Sequence, residues 1–210
     1  MKNSKGYGVL CFIQDKFITI QRKNSIACVD ILMGNFSTFK ELKELAYNLT
    51  PEELLLFKTK DVDTLERTFM SKVPLVLKKN FDFIVTLLKC IHTEELYFQD
   101  TEILLPKGRP KRNELSLQTA KREFYEETGL VTNTKFYNGF VLEEYPGPNN
   151  TVIYSNTYYI TKLKRFKPNF SCRETKKVHL LDSKDFYDKV DPRRKELRNL
   201  VFILNKRNNN

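Results

Sequence analysis

The 210-residue chain has no tryptophan, two histidines and four cysteines. Cys11, Cys28, Cys90 and Cys172 form no CxxC pair, and His92 and His179 stand near none of them. A zinc site and a disulfide framework are therefore not expected, and neither thiols nor imidazoles are expected to take part in chemistry. No apolar run approaches the ~20 residues that a bilayer span needs, so no membrane partner is expected. The first residues, MKNSKGYGVLCFIQDK, offer only about seven apolar positions before Gln14 and Asp15, and no small-residue cleavage site. A signal peptide is not expected, and a reducing compartment is the default.

What is present is a core and an excess of positive charge. Hydrophobic residues make up 40% of the chain and charged residues 30%, the composition of a folded protein rather than a disordered one. The net charge of +10 favours a polyanionic partner such as RNA, DNA, a nucleotide or a membrane surface. Its distribution is uneven. Residues 37–96 carry nine Lys and Arg against ten Asp and Glu, so the rest of the chain holds +11.

Residues 8–22 read as two strands around a turn at Asp15-Lys16. Residues 23–36 show no clear period, with Gly34-Asn35 as a break. From Ser37 the period becomes helical: Phe39, Leu42, Leu45 and Ala46 recur behind a cap at Ser37 or Thr38. Thr50-Pro51-Glu52-Glu53 is a helix start, and residues 61–70 and 74–90 also read as helical. The block 37–96 is expected to be a helical insertion, with 1–36 and 97–210 forming the main domain. Strands are expected at 102–105, 133–145, 151–163 and 176–181. A turn is expected at Pro146-Gly147-Pro148-Asn149-Asn150. Helices are expected at Ser116–Thr128, stopped by Gly129, and at 183–190 and 192–205.

The helix 116–128 carries the informative pattern. Glu123, Glu126 and Glu127 are spaced i, i+3, i+4, which puts three carboxylates on one stripe. Like charges this close are unfavourable unless a cation shares them, and oxygen ligands select Mg²⁺ or Mn²⁺. Arg122, four residues before Glu126, can pair with it. Leu117, Ala120 and Phe124 form a neighbouring stripe that would bury the helix against a sheet. An ordinary solvated face would account for the charges, but not for a glycine before the acids at this offset and another directly after them.

Gly108, Glu114, Arg122, Glu123, Phe124, Glu126, Glu127, Gly129 and Leu130 match every position of G-x5-E-x7-R-E-U-x-E-E-x-G-U, where U is bulky and apolar. The stretch resembles the Nudix hydrolase box. The resemblance implies an α+β fold, a mixed β-sheet sandwiched between helices, and attack of water on a phosphoric anhydride. It implies that Glu123, Glu126 and Glu127 hold divalent ions, with Glu127 the bridging ligand and Glu123 a candidate base. Arg122 and Glu114 would orient these acids, and the backbone carbonyl of Lys107 would complete the metal shell. Gly108 and Gly129 would shape the motif. The loop Lys107-Gly108-Arg109-Pro110-Lys111-Arg112 would steer polyphosphate, with Lys107, Arg109 and Lys111 as substrate contacts. Many members of the family add a distal acid. Glu143, Glu144 and Glu174 are the candidates, and Glu174 fits best because it precedes the strand Val178-His179-Leu180-Leu181.

Three features resemble the mRNA-decapping Nudix enzymes of large DNA viruses, those of African swine fever virus, poxviruses and baculoviruses. They are the helical insertion, the segment Ile20-Gln21-Arg22-Lys23-Asn24-Ser25-Ile26, and Leu104-Leu105-Pro106-Lys107-Gly108-Arg109-Pro110-Lys111 ahead of the box. That resemblance implies removal of the 5′ cap, release of 7-methyl-GDP and a 5′-monophosphate RNA. It implies capped RNA as partner and no obligate protein partner. It places the protein in the cytoplasm, the host's if viral, without excluding the nucleus. Arg22 becomes a substrate contact. Ile26 stands where the poxvirus pattern tends to place an aromatic, so Phe or Tyr residues elsewhere would have to stack on the cap; Tyr158 and Tyr159 are candidates, with one of the two pointing into the core. Lys162, Lys164, Arg165 and Lys167 would bind the RNA body. The alternatives are hydrolysis of a small diphosphate, such as ADP-ribose, a dinucleoside polyphosphate or a diphosphoinositol polyphosphate, and a non-catalytic RNA-binding Nudix protein, which the intact acids disfavour.

Overall fold

A computed structural model describes residues 2–69, 73–132, 135–146, 152–169, 172, 174–190, 197 and 199. In chain order its elements are β1 (Lys2–Ile13), β2 (Lys16–Arg22), α1 (Ile26–Met33), α2 (Phe39–Tyr47), α3 (Pro51–Thr59), α4 (Val62–Phe69), α5 (Leu75–Lys79), α6 (Phe81–Lys89), β3 (Ile103–Leu104), β4 (Lys107–Gly108), α7 (Ser116–Thr128), β5 (Phe140–Pro146), β6 (Val152–Lys162), β7 (Thr175–Leu181) and α8 (Ser183–Lys189). The chain divides into two compact units: Met1–Lys23 with Ile103–Asn210, and Asn24–Glu102.

The first unit is built on a mixed sheet in the order β3-β2-β1-β6-β5, with β4 paired to β1 and β7 to β2. The β1–β6 pair is parallel and the others are antiparallel. Alternation along β1 sends Val9 and Cys11 to one face and Leu10 to the other. On the first face they join Ile18, Ile20, Leu130 and the α7 residues Ala120 and Phe124. On the second, Leu10 packs with Phe17, Val141, Tyr158, Leu181 and Phe186 of α8. The result is the expected sheet between helices. Phe124 is fully buried, and burial of such a ring contributes roughly 1.5–3 kcal/mol.

Several boundaries differ from the sequence reading. Strand β1 begins at Lys2 rather than residue 8, because its polar start pairs residue by residue with β6 from Lys2↔Val152 onward. The hairpin turn is Gln14-Asp15, with Gln14 at φ 53 and Lys16 already in β2. Strand β5 starts at Phe140, after Gly139 at φ 133 ends the extended path. The expected turn at 147–150 and most of the helix expected at 192–205 lie outside the described residues.

The second unit is helical and has its own core, including Ile31, Leu32, Leu42, Leu54, Phe57, Leu65 and Leu88. Helix α1 lies in the stretch that showed no period. Ser25 caps it by accepting the Cys28 N–H, and Gly34 ends it at φ 70. Thr38–Glu41 and Thr50–Glu53 form reciprocal capping boxes, each satisfying otherwise orphaned N–H groups. Glu53 is buried and also accepts the Ser25 N–H and hydroxyl, both at 2.7 Å. The helix expected over 74–90 is two helices, broken at Asn80, whose N–H turns back to the Leu77 and Lys78 carbonyls.

Candidate active site

Burial of Ala120 and Phe124 fixes the roll of α7 and turns Arg122, Glu123, Glu126 and Glu127 toward residues 107–111. Each of the four meets a different part of that segment. The Lys107 N–H donates to Glu127 Oε2 at 2.9 Å. Gly108 lies so close to Glu123 that a Cβ there would fall on the Glu123 carboxylate. The Arg109 carbonyl accepts from Arg122 Nη2 at 3.1 Å. The Lys111 ammonium pairs with Glu126 at 3.5 Å. At the helix end, Gly129 adopts φ 68, and a Cβ there would strike the Asn169 backbone. Gly108 is thus required for space, and Gly129 for space and for its left-handed conformation.

Arg122 is the hub. Its Nε and Nη2 donate to the two oxygens of Glu114, both at 2.8 Å. Its Nη1 reaches Glu123 at 2.6 Å and Glu126 at 3.1 Å. Glu114 also accepts the Lys111 N–H at 2.9 Å and the Thr119 hydroxyl at 3.0 Å. The Arg122 hydrogen bonds, then that backbone N–H, hold the Glu114 carboxyl down at about 2. The sequence reading paired Arg122 with Glu126; the structure adds Glu114 and Glu123. Thr119 is a site residue that the sequence reading missed, since a threonine on the buried side of an amphipathic helix carries no signal.

Glu123 and Glu127 are pushed the other way. Burial, opposed by the Lys107 N–H, raises the Glu127 carboxyl to about 8. Glu123 is also raised, first by burial, with Glu126 and Glu174 adding like-charge repulsion. Arg22 and Lys107 act on Glu127 in the opposite sense. Hydrogen bonds and ion pairs therefore bring Lys107, Arg109, Lys111, Glu114 and Arg122 together with Glu123, Glu126 and Glu127, and the charges of Arg22 and Glu174 act on Glu127 and Glu123. Glu174 is exposed, and its carbonyl accepts the Lys23 N–H at 2.7 Å, which ties the start of β7 to the end of β2. Its neighbours Phe170, Ser171 and Arg173 lie outside the described residues.

Other expected residues are placed elsewhere. Tyr158 is fully buried, and its hydroxyl donates to Glu143 at 3.3 Å. Strand alternation sends it into the core with Leu10 and Phe17, so it is a core residue rather than a substrate contact. Glu143 is buried and Glu144 exposed, on opposite faces of β5. Lys162, Lys164, Arg165 and Lys167 form a separate exposed basic run at the end of β6 and beyond.

Glu123, Glu126, Glu127 and the Lys107 carbonyl are an all-oxygen set, which fits Mg²⁺ or Mn²⁺ in donor chemistry. Among the described residues, no three His, Cys, Asp or Glu side chains are gathered about one point. Arg122 bridges Glu123 and Glu126 instead, and the Lys107 N–H holds Glu127. No helix among the described residues is long and apolar enough to cross a membrane.

A family model described as NUDIX domain matches residues 84–202. No curated protein matches the chain by sequence. Among solved structures, a Caenorhabditis elegans Ap4A hydrolase in a binary complex is similar at TM-score 0.51 and 13% identity, over 94% of this chain and 91% of that one. The MutT protein of Methanosarcina mazei Go1 aligns at 0.50 and 9%, over 99% and 96%. A MutT Nudix hydrolase of Burkholderia pseudomallei aligns at 0.50 and 10%, over 93% and 95%. At these identities the likeness is one of fold.

Proposed function

The chain belongs to the Nudix family, as a hydrolase of phosphoric anhydrides, and from that premise we propose that it removes the 5′ cap of mRNA, yielding 7-methyl-GDP and 5′-monophosphate RNA. The observation that carries the choice of substrate is the placement of charge. The excess of +11 lies outside the acidic segment 37–96, and Lys162, Lys164, Arg165 and Lys167 are exposed in one run of the catalytic unit. A long polyanion uses such a surface along its length; a small diphosphate does not.

Glu123, Glu126, Glu127 and the Lys107 carbonyl would hold Mg²⁺ or Mn²⁺. Such an ion, when bound, neutralises anhydride charge and lowers the pKa of water. Arg122 and Glu114 hold the carboxylates in position. Glu123, as the ionised carboxylate, is the group to take the proton of the attacking water. Arg22, Lys107, Arg109 and Lys111 draw the phosphates to this edge of the sheet, and Glu174 adds a further acid whose charge acts on Glu123.

The test is a product assay with Mg²⁺ or Mn²⁺, in which cap-labelled RNA, free cap dinucleotide, a dinucleoside polyphosphate and ADP-ribose are incubated in parallel. Release of 7-methyl-GDP from RNA supports the proposal. Turnover confined to the small diphosphates overturns it.

A further inference from the structure

We propose that a groove beside the hairpin turn, whose lining does not include the carboxylates on α7, is a base-stacking subsite for the single-stranded body of the RNA. Its lining includes Gln14, Lys135, Phe136, Tyr137, Lys162 and Lys164, and its volume is 570 Å³, within the roughly 300–1,000 Å³ of small-ligand sites. The inference rests on reading the substrate as RNA.

Three observations combine. The first is an exposed aromatic face with a firm backing. Tyr137 is 52% exposed, and its ring stacks on Phe12 at 5.9 Å and 20°. The Lys162 ammonium lies 5.7 Å from the centre of the Phe12 ring.

The second is rigidity. Residues 135–137 are not part of a strand, yet they are pinned to β6. The Tyr137 N–H donates to the Ile160 carbonyl at 2.9 Å, and the Thr161 hydroxyl to the Lys135 carbonyl at 3.3 Å. Phe136 meets Tyr159 edge-on at 84°, and the Lys121 ammonium lies 5.2 Å over the Phe136 ring. A platform fixed before the ligand arrives costs little ordering on binding. Lys121 also precedes Arg122 on α7, so one helix carries the carboxylates and braces the groove.

The third is charge. Lys135, Lys162 and Lys164 are exposed around the aromatic face, and among the described residues no carboxylate lines the groove. Ring faces accept bases of any identity, and ammonium groups accept the phosphates between them, which is how single strands are bound without sequence preference. An anionic membrane would also be drawn to lysines, but a concave groove around a backed ring fits a base rather than a bilayer surface.

The experiment measures binding of a 3′-labelled oligouridylate bearing a 5′ monophosphate to the full chain by fluorescence anisotropy. Tyr137→Ala is expected to weaken binding about tenfold or more, the scale of one lost stacking contact, and Tyr137→Phe to bind as the wild type does. Photocrosslinking of a 4-thiouridine version to the unaltered protein is expected to label the 135–137 segment, which keeps the test independent of how the variants fold. Wild-type affinity in a folded Tyr137→Ala protein, or crosslinks confined to other segments, overturns the subsite. Binding of anionic phosphatidylserine vesicles that depends on Tyr137 while RNA binding does not also overturns it. Tyr137-dependent RNA binding in a protein that fails to cut capped RNA keeps the groove and removes the decapping reading. Normal decapping with Tyr137-independent binding does the reverse.

Discussion

Arg122 and Glu114 form a two-pronged ion pair, with both N–H···O distances at 2.8 Å. The same guanidinium also reaches Glu123 and Glu126. A planar fork makes this geometry and an ammonium does not. Arg122→Lys is expected to lower kcat by about 10–100-fold, the usual effect of losing a group that orients ligands. Wild-type kcat in that variant contradicts the role assigned to the hub.

The same pair has a pH signature. The Glu114 carboxyl is held down at about 2, first by Arg122. Its stabilising effect is therefore complete above the ordinary carboxylate value near 4.5 and is lost as pH falls through the folded value. The melting temperature of Glu114→Gln should be below that of the wild type at neutral pH, and the two should converge toward pH 2. A constant gap over that range contradicts the assignment.

Gly108→Ala isolates position from stability. The new Cβ would occupy the space of the Glu123 carboxylate, which must move. Activity is expected to fall by about 100-fold, the cost of a misplacement near 1 Å, with little change in melting temperature. Gly129→Ala places a Cβ against the Asn169 backbone at φ 68, so it should lower stability as well. Equal thermal effects of the two substitutions would contradict this separation.

Glu127 titrates in the opposite sense to Glu114. Burial raises its carboxyl to about 8, so the metal-free fold favours the protonated form. The penalty for ionising it grows as pH rises from about 4.5 to about 8. Glu127→Gln removes that penalty, so the variant should melt above the wild type at pH 8 to 9 without metal and no higher at pH 4. A chain of this size shifts by about 2–4 °C for each kcal/mol recovered. Turnover should be abolished. Near-normal activity at saturating Mg²⁺ contradicts the metal-ligand role.

Much of this site was legible because its spacings are local. The i, i+3, i+4 acids, the glycine stop and the buried Ala120–Phe124 stripe all lie within one helix, where periodicity determines which face each residue occupies. Arg122 and Glu114 were legible as motif positions but not as a pair, because their geometry depends on how the loop before α7 folds back. Tyr158 and Tyr159 were legible as an alternating pair, but not which of them is core. Helix α1 was hidden because Ile26, Ala27, Cys28, Val29, Ile31, Leu32 and Met33 are apolar nearly all round, which leaves no period to read. The start of β1 was hidden because its polar residues are ordered by backbone pairing with β6, more than 140 positions away.

The central claim is that capped RNA, not a small diphosphate, is the substrate. It is tested most directly by kcat/KM for cap-labelled RNA and for free cap dinucleotide, measured across a range of salt concentrations. If about five backbone phosphates are neutralised on a single strand, the log–log slope for RNA should be near −3.5, at about −0.7 per contact. Charge reversal at Lys162, Lys164, Arg165 and Lys167 should flatten that slope, and the dinucleotide should be the poorer substrate at low salt. Equal kcat/KM for the two substrates, with no salt slope for RNA, would contradict the claim.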